Sequence, residues 1–258
     1  MATLALLTDF GQRDGYVGIM KGVIREIAPE AKVIDLSHEV PPQDVQAGRF
    51  VLWNSYKYFP KGTIFCCVVD PGVGSKRAIL AVQTEDYLFI APDNGLLDYV
   101  LAEVRVKQML EVENPRLMRS QVSRTFHGRD IFAPAAAQLA AGFLYTQVGP
   151  LASYRVPPSP FVLPDPPATQ AVEIIYFDHF GNAITNLRLP EPLPAVQSVR
   201  LGGQAIEGLV PSYAQAGAGQ LLAIGGSHGL LEIAINQGNA QRELGLSYGD
   251  SVEVSWKT

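Results

Sequence analysis

The stretch Leu4-Ala5-Leu6-Leu7-Thr8-Asp9 is an apolar run that stops on a carboxylate. Gly15 to Ile27 follows it, with apolar residues at Val17, Met20, Val23, Ile24 and Ile27. The first segment has the length of a buried strand, and the second has the three-to-four spacing of a helix face. Pro29 stops the helix, and Lys32–Leu36 reads as the next strand. The alternation continues. Val45–Tyr58 reads as a helix closed by Pro60 and Gly62, and Thr63–Val69 as a buried strand ending at Asp70. Ala78–Gln83 and Tyr87–Ala91 read as strands joined by the turn Thr84-Glu85-Asp86. Asp130 is placed to cap a helix over Ile131–Ala141 that Gly142 ends. A β-α-β series of this kind predicts an α/β domain with a mainly parallel central sheet and helices on both faces.

The pattern changes after residue 155. Pro157-Pro158-Ser159-Pro160 and Pro164-Asp165-Pro166-Pro167 read as a stiff linker over residues 156–168. Short strands follow at Ala171–Tyr176, Ala183–Leu187, Ser198–Leu201, Leu221–Ile224, Leu230–Ile235 and Ser251–Trp256. Their spacing predicts a small antiparallel β-barrel. The expected organisation is an α/β domain over 1–155, the linker, and a barrel domain over 169–258.

Composition narrows the function classes. The 258 residues are 47% hydrophobic and 17% charged, with a net charge of −5. That excludes a disordered acidic chain and gives no basic footprint for nucleic acid. The N-terminus lacks a basic region of the signal-peptide kind, and no stretch is long and apolar enough to span a membrane. Cys66 and Cys67 are adjacent, so neither a disulfide framework nor a CxxC metal pair is available. These features lead us to expect a cytoplasmic protein with no membrane, nucleic-acid, metal or cofactor requirement.

Candidate site residues sit at strand ends. Asp9 and Asp70 each follow an apolar run and precede a glycine-containing turn, where ligands bind in open α/β sheets. Asp14 reads first as a helix cap. Asp70-Pro71-Gly72-Val73-Gly74-Ser75-Lys76-Arg77 is not a P-loop, because Ser75 separates Gly74 from Lys76. His127 lies in Thr125-Phe126-His127-Gly128-Arg129-Asp130, just ahead of a helix. There is no HExxH, and Gly225-Gly226-Ser227-His228-Gly229 lacks one residue for a nucleophile elbow. Asp178-His179-Phe180-Gly181-Asn182 reads as a strand corner whose Asn182 carries the donor and acceptor needed to read an adenine edge.

Together these landmarks resemble the S-adenosyl-L-methionine (SAM) hydrolase (adenosine-forming) family. Its members are also called SAM hydroxide adenosyltransferases, and they are relatives of fluorinase and chlorinase. The resemblance is carried in order by Leu7-Thr8-Asp9-Phe10-Gly11, Asp70–Arg77, Ala91-Pro92-Asp93-Asn94-Gly95, Thr125–Asp130, Asp178–Asn182, and Ser227-His228-Gly229 with Glu232 through Asn239-Ala240. It implies SAM as substrate and a homotrimer whose active sites lie between one subunit's N-domain and its neighbour's C-domain. It also implies a water-activating trio of Asp70, Arg77 and His127. Asp9 would hold the ribose hydroxyls, and Phe126 and Gly128 would line the ribose and C5′ region. Asn182 would read adenine, and Asp178 and Ser227 would hold the methionine portion. Tyr213 and Glu232 would be further substrate contacts.

The Asp178–Asn182 corner is one residue shorter than the fluorinase pattern, and His228 stands where the halogenase has arginine. Fluorinase-like proteins have tyrosine at the Asp70 position and an aromatic hydroxyl residue at the His127 position. A halide needs a dry, uncharged pocket, whereas a carboxylate, guanidinium and imidazole would hold water. The competing expectations are a SAM-dependent halogenase, revealed by chloride-dependent 5′-chloro-5′-deoxyadenosine, and a SAM- or nucleoside-binding protein without turnover.

Overall fold

Strand β1 (Thr3–Thr8) exists because Leu4 to Thr8 are all buried, too many apolar groups in a row for one face of a helix. The fold is described from a computed structural model for every residue except Met1, Tyr154, Val156, Leu193, Pro194 and Thr258. Helix α1 (Tyr16–Ile27) buries Val17, Met20, Val23 and Ile24 as one stripe and ends at Ala28, the residue before Pro29. Its N-cap is Gly15 and no side chain caps it, so Asp14 does not take the capping role. Then come β2 (Lys32–Ser37), α2 (Val45–Ser55), β3 (Ile64–Val68), β4 (Ile79–Thr84) and β5 (Leu88–Pro92). A four-residue helix α3 (Asp98–Leu101), strand β6 (Val106–Glu111) and helix α4 (Ala133–Ala140) complete this region.

The six strands form one sheet in the order β2-β1-β3-β5-β4-β6. The pairs β1/β2, β1/β3 and β3/β5 are parallel, while β4 runs antiparallel to β5 and β6. The sheet is mixed through the β4–β5 hairpin. One face carries Leu4, Leu6, Ile64, Cys66 and Ile90, packed in one core with Met20 and Ile24 of α1 and Ala133 and Ala136 of α4. The opposite pleat carries an aromatic layer. Phe65 stacks on Phe89 at 5.0 Å, and Tyr56, Phe59 and Tyr87 pack edge-on around them. Cys66 and Cys67 are both sealed in β3. Burial pushes the Cys66 thiol up to about 12 and that of Cys67 well above its ordinary value. The register pairs Thr8 with Val68, so the chain leaves β1 and β3 side by side at the carboxyl end of these two central parallel strands.

The chain divides into two compact units, Met1–Pro158 and Ser159–Thr258. Val156, the first residue of the expected linker, lies outside the described residues. From Ser159 onward the proline-rich stretch is tied to the second unit. Val162 bridges Leu187, Pro160 accepts from the Asn186 amide (3.1 Å) and Leu163 from the Gln170 amide (2.9 Å).

The second unit contains β7 (Gln170–Phe177), β8 (Ala183–Arg188), β9 (Val196–Leu201), β10 (Gln204–Glu207), β11 (Leu221–Gly225), β12 (Leu230–Ile235), the short helix α5 (Ala240–Leu244) and β13 (Ser251–Trp256). All pairings in the order β10-β9-β13-β7-β8-β12-β11 are antiparallel. Val210, beyond β10, bridges Ile224 of β11 and nearly closes the sheet into a barrel. Val172, Ile174, Leu187, Val199, Ile233, Val252 and Trp256 fill the core of this unit. Among the described residues, no helix is long and apolar enough to cross a membrane.

Candidate active site

The turn after β1 is held from beneath. The buried Thr8 hydroxyl lies 2.8 Å from His38 Nδ1 and accepts the Phe10 N–H, and the His38 carbonyl accepts the Gly11 N–H at 2.7 Å. Gly11 sits at φ +66°, which glycine adopts without strain. His38 Nε2 stands 3.1 Å from Asp35 Oδ1, at ion-pair distance but without hydrogen-bond alignment. So braced, Asp9 points its Oδ2 at the Gln43 N–H, 2.8 Å away. Gln43 is itself at φ +65°. Burial raises the Asp9 pKa; the Gln43 and Asp9 backbone amides partly offset this, and the nearby Asp70 carboxylate adds to it.

Past the end of β3, the Val69 carbonyl accepts the Asn94 amide at 2.8 Å, and Asn94 Oδ1 takes the Leu96 N–H. The Asn94 landmark therefore fixes the point where Asp70 emerges. Successive turns, with Val73 N–H on the Asp70 carbonyl and Ser75 N–H on the Gly72 carbonyl, fold Arg77 back over Asp70. Arg77 Nε donates to both Asp70 oxygens at 2.9 Å, and Nη2 reaches both Asp70 Oδ2 and His127 Nδ1, the latter at 2.9 Å. The guanidinium lies 5.6 Å above the ring of buried Phe132. The Asp70 and Arg77 side chains are only 4% and 10% exposed, so this is a buried pair rather than a surface one.

The loop that carries His127 is pinned by Asp130. Its carboxylate accepts the Ser123 N–H at 2.8 Å and pairs with Arg129, while Ser123 Oγ accepts the Phe126 N–H. Gly128–Phe132 is a π-helical turn and α4 begins only at Ala133, so Asp130 lies inside the turn and does not cap the helix. Gly74, at φ +79°, is where this loop meets the Asp70–Arg77 segment; a Cβ there would stand 2.4 Å from the Arg124 carbonyl oxygen.

Arginine only donates hydrogen bonds. His127 Nδ1 is therefore the acceptor, and the ring's proton sits on Nε2. Burial, then the Arg77 charge, lower the His127 pKa, against the pull of Asp70, Asp130 and Ser123. The imidazole is neutral at pH 7.

These elements surround a cavity of about 610 Å³. Asp9, Asp70 and His127 line it, while Arg77 stands behind Asp70 and His127. Part of the lining is aromatic, with Phe10, Tyr16 and Phe126 centroids 5.0–5.9 Å apart. Gly128 also lines the cavity. A Cβ at Gly128 would approach Phe10, Met20 and Phe126 at 3.1–3.2 Å, which is why the wall closes there only around glycine.

The second unit has its own cavity of about 570 Å³, lined by Asp178, Asn182 and Tyr213. Asp178 holds the corner together. Its Oδ1 accepts the Phe180 and Asn182 N–H groups, and its Oδ2 accepts the Asn182 side-chain amide at 3.0 Å. Glu232 is buried behind Tyr213, whose hydroxyl donates to it. Ser227 sits on an exposed turn and does not line this cavity.

The structure thus brings Asp9, Asp70, Arg77, Phe126, His127 and Gly128 together in one unit, and Asp178, Asn182 and Tyr213 in the other. Sequence reasoning missed Tyr16, Gln43 and Ser123 on the first cavity and exposed Phe180 on the second. Phe10, next to Asp9, gave the one available signal for an aromatic wall. Among the described residues, no group of three or more His, Cys, Asp or Glu side chains could hold a metal ion.

Residues 4–149 match the SAM hydroxide adenosyltransferase N-terminal domain, and residues 172–253 match the C-terminal domain of the same family. Over 98% of its length the chain is 38% identical to all of the (R)-S-adenosyl-L-methionine hydrolase of Thermus thermophilus. Fluorinase from Nocardia brasiliensis is more distant, 28% identical over 97% of this chain and 96% of that one. The crystal structure of a conserved protein from Thermotoga maritima superposes with a TM-score of 0.84. It is 36% identical and covers 99% of this chain and all of its own.

Proposed function

The chain belongs to the SAM hydroxide adenosyltransferase family, and on that premise we propose that it hydrolyses S-adenosyl-L-methionine to adenosine and L-methionine. The observation that carries this is the hydrogen-bonded Asp70–Arg77–His127 trio beside a cavity lined in part by aromatic rings. The hydrolase relative's name specifies the R form; since L already fixes the α-carbon, R denotes the sulfonium centre, and that epimer is the first to test.

The sulfonium makes C5′ electrophilic. A water oxygen attacks C5′ in line, the C5′–S bond breaks, and its electron pair neutralises sulfur as methionine's thioether. One proton of the water is released. His127 Nε2–H donates to the attacking oxygen, and the Asp70 carboxylate, which faces the cavity, accepts the proton. Arg77 holds Asp70 through a two-pronged contact and keeps His127 neutral and correctly turned. In-line positioning contributes roughly 7–11 kcal/mol of the barrier reduction. Asp9 binds the ribose hydroxyls, and the Phe10–Tyr16–Phe126 wall excludes bulk water. The second unit's cavity takes the rest of the substrate, supplied by a neighbouring subunit of a homotrimer. The enzyme works in the cytoplasm without a cofactor.

The charged trio argues against a halide site, since an anion would meet the Asp70 carboxylate. The decisive experiment is incubation with each sulfonium epimer in ¹⁸O-water. Adenosine labelled at its 5′ oxygen is expected; unlabelled adenosine, or none, refutes the mechanism.

A further inference from the structure

A line of polar groups runs behind the first unit's cavity. Lys21 Nζ of α1 meets Asp35 Oδ2 of β2 at 2.6 Å, Asp35 Oδ1 stands 3.1 Å from His38 Nε2, and His38 Nδ1 lies 2.8 Å from the Thr8 hydroxyl. Asp35 and His38 are three residues apart, a spacing that an unbroken strand sends to opposite faces. Here the β1/β2 register slips: Leu6 pairs with Asp35 but Leu7 with Ser37. The slip brings both groups to one side and sets His38 beside Thr8. Thr8 and the His38 side chain are fully buried, and none of the four residues lines the cavity.

Each proton in the line has one place to go. Against its burial, the Lys21 ammonium and the His38 ring hold the Asp35 carboxyl below its ordinary range, so it only accepts. His38 Nε2 is buried with no hydrogen bond of its own, and a bare lone pair facing that carboxylate would be repelled, so the ring proton sits there. Nδ1 then accepts the Thr8 proton, which leaves Thr8 Oγ1 its lone pairs for the Phe10 N–H, 3.2 Å away. The His38 carbonyl takes the next N–H, that of Gly11. Asp9 is therefore anchored by the residues on both sides of it, and its Oδ2 is occupied by the Gln43 N–H. We propose that Thr8 and His38 are positioning residues for the sugar: they hold the Asp9 carboxylate in the orientation that serves the ribose hydroxyls, so that ribose is told from deoxyribose by groups the substrate never touches. The inference rests on the SAM reading, in which Asp9 binds the ribose, and adds what makes that contact selective.

The test is equilibrium binding of adenosine and of 2′,3′-dideoxyadenosine to the full chain, without turnover. Wild type should prefer adenosine by about tenfold or more, the effect of hydrogen bonds to a charged group, and Asp9→Asn should lose most of that preference. Thr8→Val keeps the shape and removes the hydroxyl; it should cut the preference about threefold or more, whereas Thr8→Ser should keep it. His38→Asn places an amide where Nδ1 stood and should stay within about twofold of wild type. His38→Leu should match Thr8→Val. Should His38→Leu fail to fold, His38→Gln, whose amide reaches toward Asp35 instead of Thr8, carries the same expectation. In the Asp9→Asn background, Thr8→Val should lower the ratio no further, because it acts through Asp9. A merely structural role would lower Tm and weaken both nucleosides by a common factor, leaving the ratio unmoved, and that result overturns the proposal. So does a further fall of the ratio in the double variant, or an unchanged ratio when His38 no longer reaches Thr8. A wild type indifferent to the sugar hydroxyls overturns the ribose role of Asp9 together with the proposal. Failure of the ¹⁸O experiment would remove the hydrolytic function and leave this binding result standing.

Discussion

Replacing Arg77 with methionine, of similar length and without charge, tests the central arrangement. The substitution removes three contacts to Asp70 and one to His127. Were the pair on the surface, the loss would be about 0–1 kcal/mol. With side chains 4% and 10% exposed, the applicable case is a buried carboxylate stripped of its partner, about 3–5 kcal/mol. At about 2–4 °C per kcal/mol, Tm should fall by on the order of 10 °C. Much of that loss is the penalty of an unpaired charge, so Asp70→Asn added to Arg77→Met should recover at least about 1.5 kcal/mol. Asp70→Asn alone should destabilise by leaving the guanidinium unpaired. Urea or thermal unfolding of all four proteins gives the coupling. Adenosine release should fall by at least about 100-fold in kcat in both single variants, with KM changing much less. Additive stabilities, with no recovery in the double variant, would refute the buried-pair reasoning. Unchanged kcat in Arg77→Met would refute its catalytic role.

Gly74→Ala places a methyl 2.4 Å from the Arg124 carbonyl at a positive φ, so it should separate the Asp70–Arg77 segment from the His127 loop. We expect about 1–3 kcal/mol lower stability by urea unfolding and a larger fall in kcat than in adenosine affinity. Asp9→Asn should raise KM about 10-fold or more with a smaller change in kcat, measured by steady-state adenosine release. Because burial raises the Asp9 pKa above 3.8, Asp9 should contribute to the acid limb of kcat/KM at a higher pH than an ordinary aspartate, and that contribution should be lost in Asp9→Asn. The folded His127 pKa lies below 6.5, so the unfolded chain binds more protons as pH falls through 6.5. His127 should therefore make stability decline from that point down to its folded value. NMR titration of its ring should show that depressed midpoint, and Arg77→Met should move it upward.

Much of this was readable from residue order alone. Apolar runs ending on Asp9 and Asp70 located the two strand ends, and the helical stripe of α1 was read to within a residue. The antiparallel β4–β5 pair agrees with the strands read on either side of the Thr84-Glu85-Asp86 turn. The misses have physical causes. Strand β6, with charged and polar residues at Lys107 and Gln108, carried no reading. Helix α3 and strand β10 have four residues each, too short for periodicity to register. The π-helical turn at Gly128–Phe132 follows neither helix nor strand spacing; Pro134, which marks the true start of α4, was the unused signal. The sequence placed Asp70, Arg77 and His127 in one group through family resemblance. That Arg77 stands behind the other two, and that Glu232 lies behind Tyr213, depends on tertiary packing of segments far apart in the chain.

The two adjacent thiols of β3 offer a practical handle. Sealed on opposite pleats of a central strand and held protonated, they should ignore alkylating reagents while the sheet is intact. Mass-spectrometric counting of modified chains over time would then clock how often the first unit comes apart, with no engineered probe.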